Sequence, residues 1–204
     1  MKIMDCMASE KSKYYDKRSE FFRRYFEQAL PYNEYVLTGT SEQQEKWRNF
    51  ETAVGLRADQ LSVLKSFVRK LNVLVLSGLW CGDCARQGPM LHKLETVSPT
   101  FNFRFIDNRA NPELQEELRI NGAEKVPVVV GLSEDFYELE RFGDRHLSVY
   151  RRKLQTELGA ACDPGIVTGS EGELTAELTE WISFFERLQA LLRLAPLLRA
   201  RYGD

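Results

Sequence analysis

The residues Leu71-Asn72-Val73-Leu74-Val75-Leu76 form a near-continuous apolar run with β-branched members. A run of this kind is a strand buried on both faces. Its neighbours alternate helix and strand signals across residues 59–150, which argues for an α/β sheet. Asp59 is expected to cap a helix whose apolar positions are Leu61, Leu64, Phe67 and Val68. A helix over 80–97 follows the first strand, and Phe101-Asn102-Phe103-Arg104-Phe105-Ile106 is a second strand. Asn111-Pro112-Glu113 places an N-cap ahead of a proline at the first helical position. That short helix should reach Ile120 and end at Asn121-Gly122. Val126-Pro127-Val128-Val129-Val130-Gly131 is a third strand, beginning at a proline, and 136–142 a fourth.

Both flanks are helical in pattern. Tyr14, Tyr15, Phe21, Phe22, Tyr25 and Phe26 recur at roughly helical spacing among charged residues, predicting one amphipathic helix that ends near Leu30-Pro31. Thr40 or Ser41 opens a second helix, with Gln43 or Gln44 completing a capping box. Trp47, Phe50 and Val54 form its stripe, and Gly55 is its stop. A helix from about Leu147 takes in Leu154 and Leu158 and stops at Gly159, ahead of a loop at 160–165. Ser170-Glu171-Gly172-Glu173 then caps a long helix with Leu174, Leu178, Trp181, Phe185, Leu188 and Leu192 on one face. Ile182, Phe184, Leu191 and Leu194 widen that stripe, and Pro196 ends or kinks the helix. The chain thus divides into an N-terminal helical extension (1–58), an α/β domain (59–152) and a C-terminal helical extension packing on it (153–204).

Charge excludes several classes of partner. The 204 residues carry 28 Lys and Arg against 30 Asp and Glu, a net charge of −2 that gives no overall attraction to nucleic acid or anionic membrane. The basic run Lys11, Lys13, Lys17, Arg18, Arg23 and Arg24 is diluted by Glu10, Asp16, Glu20 and Glu27, as on a solvated helix face. No apolar run approaches the roughly 18 residues of a membrane span. The N-terminus lacks the apolar core of a secretory signal, so a cytoplasmic location is expected. Four cysteines are too few for a disulfide scaffold.

Two of those cysteines are close together, in Trp80-Cys81-Gly82-Asp83-Cys84, between the buried strand and a helix. At this spacing on a helix start, both sulfurs lie on one face and can close a small disulfide ring. Unpaired backbone donors at the helix N-terminus favour a thiolate at Cys81. A thiolate is the nucleophile of disulfide exchange, so Cys81 would attack a substrate disulfide and Cys84 would release the product. Structural zinc would need two further ligands from His92, His146, Cys6 and Cys162, with no second Cys-x-x-Cys or His pair to supply them. Two buried cysteines without chemistry are the plainer alternative. Cys6 and Cys162 are either incidental or a bridge or relay pair. His92 is expected on a different helix face from Cys81, and His146 near the site only if its loop folds over it.

The motif and its context resemble the thioredoxin superfamily, and most resemble a thioredoxin-like branch with W-C-G-D-C. Trp80 to Cys84 sits where that family carries Trp-Cys-Gly-Pro-Cys. Pro89 stands where thioredoxins have the proline that kinks the active-site helix. Asn111-Pro112 opens the next helix, and Val126-Pro127 occupies the place of a cis-proline facing the disulfide. The Arg141 to Arg145 stretch carries the branch's glycine, Gly143, in a turn. The resemblance, over about 60–152, implies a thioredoxin-like central sheet flanked by helices, with N- and C-terminal helical extensions. It implies Cys81 and Cys84 as the catalytic pair, with Trp80, Gly82, Asp83, Val126 and Pro127 shaping or tuning the substrate groove and Pro89 structural. Two departures stand out. The family's buried aspartate six residues before the first cysteine is Val75 here, and its proline between the cysteines is Asp83. Asp83 is either a helix-start acid or a replacement base for Cys84.

The expected function is thiol–disulfide oxidoreduction on protein or low-molecular-weight disulfides, with no metal or organic cofactor and with an upstream reductant to restore the dithiol. The chain would be a monomer or a homodimer through its C-terminal helix, with neither nucleic acid nor membrane as partner. The alternative is a binding module on the same fold, whose helical extensions dock a partner.

Overall fold

A computed structural model describes residues 14–157 and 172–204. The strand at 71–76 extends one residue to Ser77 and lies at the interior of a four-stranded sheet, as β1 (Leu71–Ser77). Its neighbours are β2 (Phe101–Asp107), which is parallel, and β3 (Val128–Leu132), which is antiparallel and pairs in turn with β4 (Glu138–Gly143). The order β2-β1-β3-β4 puts β1 between two partners, and every one of its residues is buried.

Side-chain alternation splits the core into two layers. Leu71, Val73 and Val75 point to one face with Phe101, Phe103, Phe105 and Val129. Leu74 and Leu76 point to the other with Ile106, Val128, Val130 and Leu132. The first face is covered by α3 (Ser41–Ala53), α4 (Ala58–Lys65), α5 (Gly82–Val97) and α8 (Glu173–Leu194), through Trp47, Leu64, Met90, Leu94, Trp181, Phe185 and Leu188. The second is covered by α1 (Ser19–Gln28) and α6 (Pro112–Glu117), through Phe22, Tyr25, Phe26 and Leu114. The α/β, thioredoxin-like sheet with helices at both ends of the chain is therefore the observed architecture.

Several local expectations need correction. Tyr14 and Tyr15 lie outside the first helix and are exposed. A short helix missed in the sequence, α2 (Tyr32–Leu37), follows Pro31 and buries Tyr32 and Tyr35. Thr40 makes its capping box with Gln43, as expected. Arg57, not Asp59, stands at the N-cap of α4, where the Gln60 side chain accepts from the Arg57 amide at 3.0 Å. Phe67 and Val68 lie beyond that helix, and Val68 is exposed. At α6, the Asn111 side chain donates to the Asp107 carbonyl instead of capping, and the helix stops at Glu117. The fourth strand starts at Glu138 because Phe136 takes φ 61° in the turn before it. Gly172 is the N-cap of α8, with no side-chain cap; Ser170 and Glu171, like Cys6, Cys162, Leu158 and Gly159, lie outside the described residues. Leu191 and Leu194 are exposed, so the buried stripe of α8 is narrower than its sequence suggested. Pro196 begins a further helix, α9 (Pro196–Tyr202).

The C-terminal helices are tied to the sheet by buried polar groups. Arg69, almost fully buried at the entrance to β1, pairs with Glu134 at 2.8 Å and donates to the carbonyls of Leu192 and Leu198. Its amide and carbonyl both bond the Gln189 side chain, at 3.1 and 2.7 Å. No helix among the described residues is long and apolar enough to cross a membrane.

Candidate functional site

The loop after β1 delivers Cys81 to the N-cap of α5, so its sulfur faces the first-turn amides of that helix. The Cys81 amide donates to the Gly78 carbonyl at 2.9 Å, closing the turn. Cys81 is partly exposed, whereas Cys84, one turn on, is only 1% exposed. Both are free thiols.

Environment separates the two. The Cys84 thiol donating toward Cys81, with the backbone amides of Cys84 and Asp83, pulls the Cys81 pKa down to about 6 against the opposing effects of burial and the Asp83 charge. Burial pushes the Cys84 thiol well up, and the neighbouring Cys81 adds to the rise. Cys81 is therefore the more acidic, partly exposed sulfur, and Cys84 the buried one that keeps its proton.

Of the residues singled out in the sequence, Val126 is brought to Cys81, and Pro89 lies in the body of α5. The Val126–Pro127 bond is cis, and the Val126 carbonyl stands 3.7 Å from Cys81 Sγ. Trp80 is 46% exposed beside the pair, with the Arg109 guanidinium 4.3 Å from its ring centre. Gly82 is exposed, and Lys46 Nζ of α3 lies 3.7 Å from where a side chain there would begin. Pro89 is buried inside α5, next to Gly88, where Trp47 packs so close that an added Cβ would fall 2.2 Å from its ring. Trp47 in turn donates to the Leu79 carbonyl at 3.4 Å, bracing the loop that carries the motif.

Asp83 sits in the first turn of α5 and pairs with Arg145 at 2.7 Å. That partner comes from the connection between β4 and α7 (Leu147–Glu157), which the Gln87 side chain holds by donating to the Asp144 carbonyl at 2.9 Å. Gly143 ends β4 rather than making a turn. Its backbone presses on the proline strand so tightly that a Cβ would lie 2.7 Å from the Pro127 carbonyl. The close approach at Gly143 and the pairing of Arg145 both depend on where β4 ends relative to α5, which no local sequence pattern shows.

The histidines are engaged with aromatic side chains. His92 stacks on Tyr32 with ring centres 4.1 Å apart. His146 is fully buried against Phe142 and Trp181, 3.6 Å from Glu177, and burial lowers its pKa to about 4. Glu177 is itself held by Arg86 of α5 at 2.8 Å. No cluster of potential metal ligands occurs among the described residues.

An α/β sheet whose helix starts at a Cys-x-x-Cys pair, facing a cis X-Pro bond, defines a dithiol-bearing thioredoxin-type fold. The family model described as Thioredoxin matches residues 29–152, more than half of the chain, and the chain belongs to that family. The match takes in α2, α3 and α4 as well as the sheet. A search of the curated proteins found no match. Among solved structures, the chain is similar to PA1234, a protein of unknown function from Pseudomonas aeruginosa, at 21% identity and TM-score 0.64, covering 81% of this chain and 97% of that one. An HIV epitope-scaffold matches with the same identity, TM-score and coverage. Thioredoxin NaTrxh from Nicotiana alata matches at 21% identity over 47% of this chain and 79% of its own, with TM-score 0.34. At these identities the first two likenesses bear on the fold alone.

Proposed function

We propose that this protein is a thiol–disulfide oxidoreductase that reduces protein or low-molecular-weight disulfides through a Cys81/Cys84 dithiol–disulfide cycle. The observation that carries this is the split between the two sulfurs, one partly exposed with its pKa drawn down to about 6, the other buried and protonated one turn behind it.

The Cys81 thiolate attacks one sulfur of the substrate disulfide. A Cys81–substrate disulfide forms, and the first substrate thiolate leaves. Cys84 then attacks Cys81 Sγ, the mixed disulfide breaks, and the second substrate sulfur leaves with the electron pair and takes up a proton. The substrate gains two electrons, and the enzyme is left with a Cys81–Cys84 disulfide for an upstream reductant to reopen. The Val126 carbonyl beside Cys81 and the Trp80 face would line the docking groove for an extended chain. A reducing compartment such as the cytosol suits this direction of electron flow.

Cys81→Ser is expected to abolish exchange, and Cys84→Ser to trap a mixed disulfide with substrate. Exchange that persists in Cys81→Ser would overturn the assignment. One observation favours the binding-module reading: Val75 is buried among apolar side chains, so that position offers Cys84 no carboxylate. A Cys81→Ser, Cys84→Ser protein that still captures the same partner non-covalently would support that reading instead.

A further inference from the structure

Resolution of the mixed disulfide requires Cys84 to carry negative charge as it attacks, and its burial opposes that charge. Two hydroxyls lie behind it, Tyr35 from α2 and Ser77 at the end of β1. Tyr35 is 2% exposed, with its ring stacked on Phe105 and edge-on to Trp47. Ser77 is 1% exposed. The Ser77 hydroxyl is near enough to the Tyr35 hydroxyl and the Cys84 thiol to ease the ionisation of each. Yet neither hydroxyl completes a hydrogen bond of good geometry among the described residues. A buried polar group left so carries a desolvation cost, which phenylalanine and alanine at these positions would avoid. Two buried hydroxyls without partners, near a buried thiol, are suited to a charge that arises only during turnover.

We propose that Tyr35 and Ser77 are positioning residues for the resolving step: Tyr35 O–H donates to Ser77 Oγ, and Ser77 O–H donates to the Cys84 sulfur as it becomes a thiolate. The inference rests on the dithiol cycle proposed above. Cys84 gives up its proton, its electron pair forms the bond to Cys81 Sγ, and the departing substrate sulfur takes the pair from the broken bond and a proton. Both hydroxyls keep their own protons throughout. Burial holds the Tyr35 pKa above its ordinary value, so the phenol serves as a donor and not as a base. The titratable groups facing the pair are Cys81, Cys84 and Asp107. The Asp107 carboxylate is engaged by the amides of Arg109 and Ala110, at 2.9 and 3.0 Å. The Gly78 amide adds a backbone donor to Cys84, so loss of the hydroxyls slows the step without stopping it.

The test is stopped-flow reaction of the reduced 204-residue chain with a pyridyl disulfide, Cys6 and Cys162 being replaced by serine. The first release of pyridine thione reports attack by Cys81, and the second reports resolution by Cys84. In Ser77→Ala the second phase should slow by about tenfold, as expected for one lost hydrogen bond to a charged group. Its pH midpoint should move up, with the first phase and its pH profile unchanged. Tyr35→Phe, which keeps the ring packing, should slow the second phase less. The double variant should be no slower than Ser77→Ala, and Ser77→Thr should restore the phase. A second phase of wild-type rate and pH profile in both Ser77→Ala and Tyr35→Phe would overturn the proposal, as would equal slowing of both phases. Absence of a second phase in the parent protein would instead overturn the dithiol cycle itself.

Discussion

Replacing Cys84 with alanine removes the thiol that donates to Cys81 and leaves the amides of Asp83 and residue 84 in place. Hydrogen bonds to charged groups are worth about 1.5 kcal/mol at the low end, which corresponds to a tenfold change in ionisation. The Cys81 midpoint should then rise from about 6 to about 7. At pH 6 the thiolate population falls from about one half to about one tenth, while at pH 8 both proteins are more than about 90% ionised. The more basic thiolate is about threefold more nucleophilic, since reactivity follows basicity with a slope of about 0.4–0.5. The two effects oppose. The variant should attack a neutral pyridyl disulfide at about half the wild-type rate at pH 6 and about two and a half times that rate at pH 8. The assay is the initial thione-release rate across this pH range, in the background lacking Cys6 and Cys162. Crossing curves are expected. Profiles that share one midpoint, or differ by a constant factor, would refute the assigned role of the Cys84 thiol.

Other consequences follow from neighbouring groups. Arg145→Gln leaves the Asp83 charge uncompensated, so attack by Cys81 at pH 6 should slow by about two- to threefold, the effect of a partly exposed ion pair, and Asp83→Asn in the same chain should restore it. Arg69→Ala strands the buried Glu134 and frees the carbonyls of Leu192 and Leu198, and urea unfolding should show a loss of about 3–5 kcal/mol. His146 is neutral in the fold because burial lowers its pKa to about 4, whereas the unfolded chain takes up its proton near 6.5. Its contribution therefore erodes stability as pH falls from about 6.5 through about 4, by up to about 3 kcal/mol, and His146→Leu should flatten that limb of a pH series of melting curves.

What the sequence disclosed was local or strongly patterned. The apolar run of β1 declares its own burial, Thr40 and Gln43 declare a helix start, and the cysteine spacing with Pro127 marks the candidate site. What it concealed depends on contacts between distant segments. Tyr35 reads as an ordinary aromatic until α2 lays it beside β2 and Ser77, and the six residues of α2 are too few for a periodic signal. Arg145 lies 62 positions from Asp83, and only the end of β4 brings them together. Gly143 looks like a turn residue because glycines commonly are, whereas here it permits close contact with Pro127. Asp59 fits the capping preference for acids, yet the buried Gln60 side chain supplies the bond that fixes the start of α4.

The most direct test of the central claim is equilibrium titration of the Cys81–Cys84 couple in thiol redox buffers, followed by Trp80 fluorescence against a Trp80→Phe control. A reversible two-electron transition at or below about −230 mV is predicted, in the range of reducing thioredoxin-type proteins. Absence of any reversible transition would contradict a dithiol–disulfide cycle at this site.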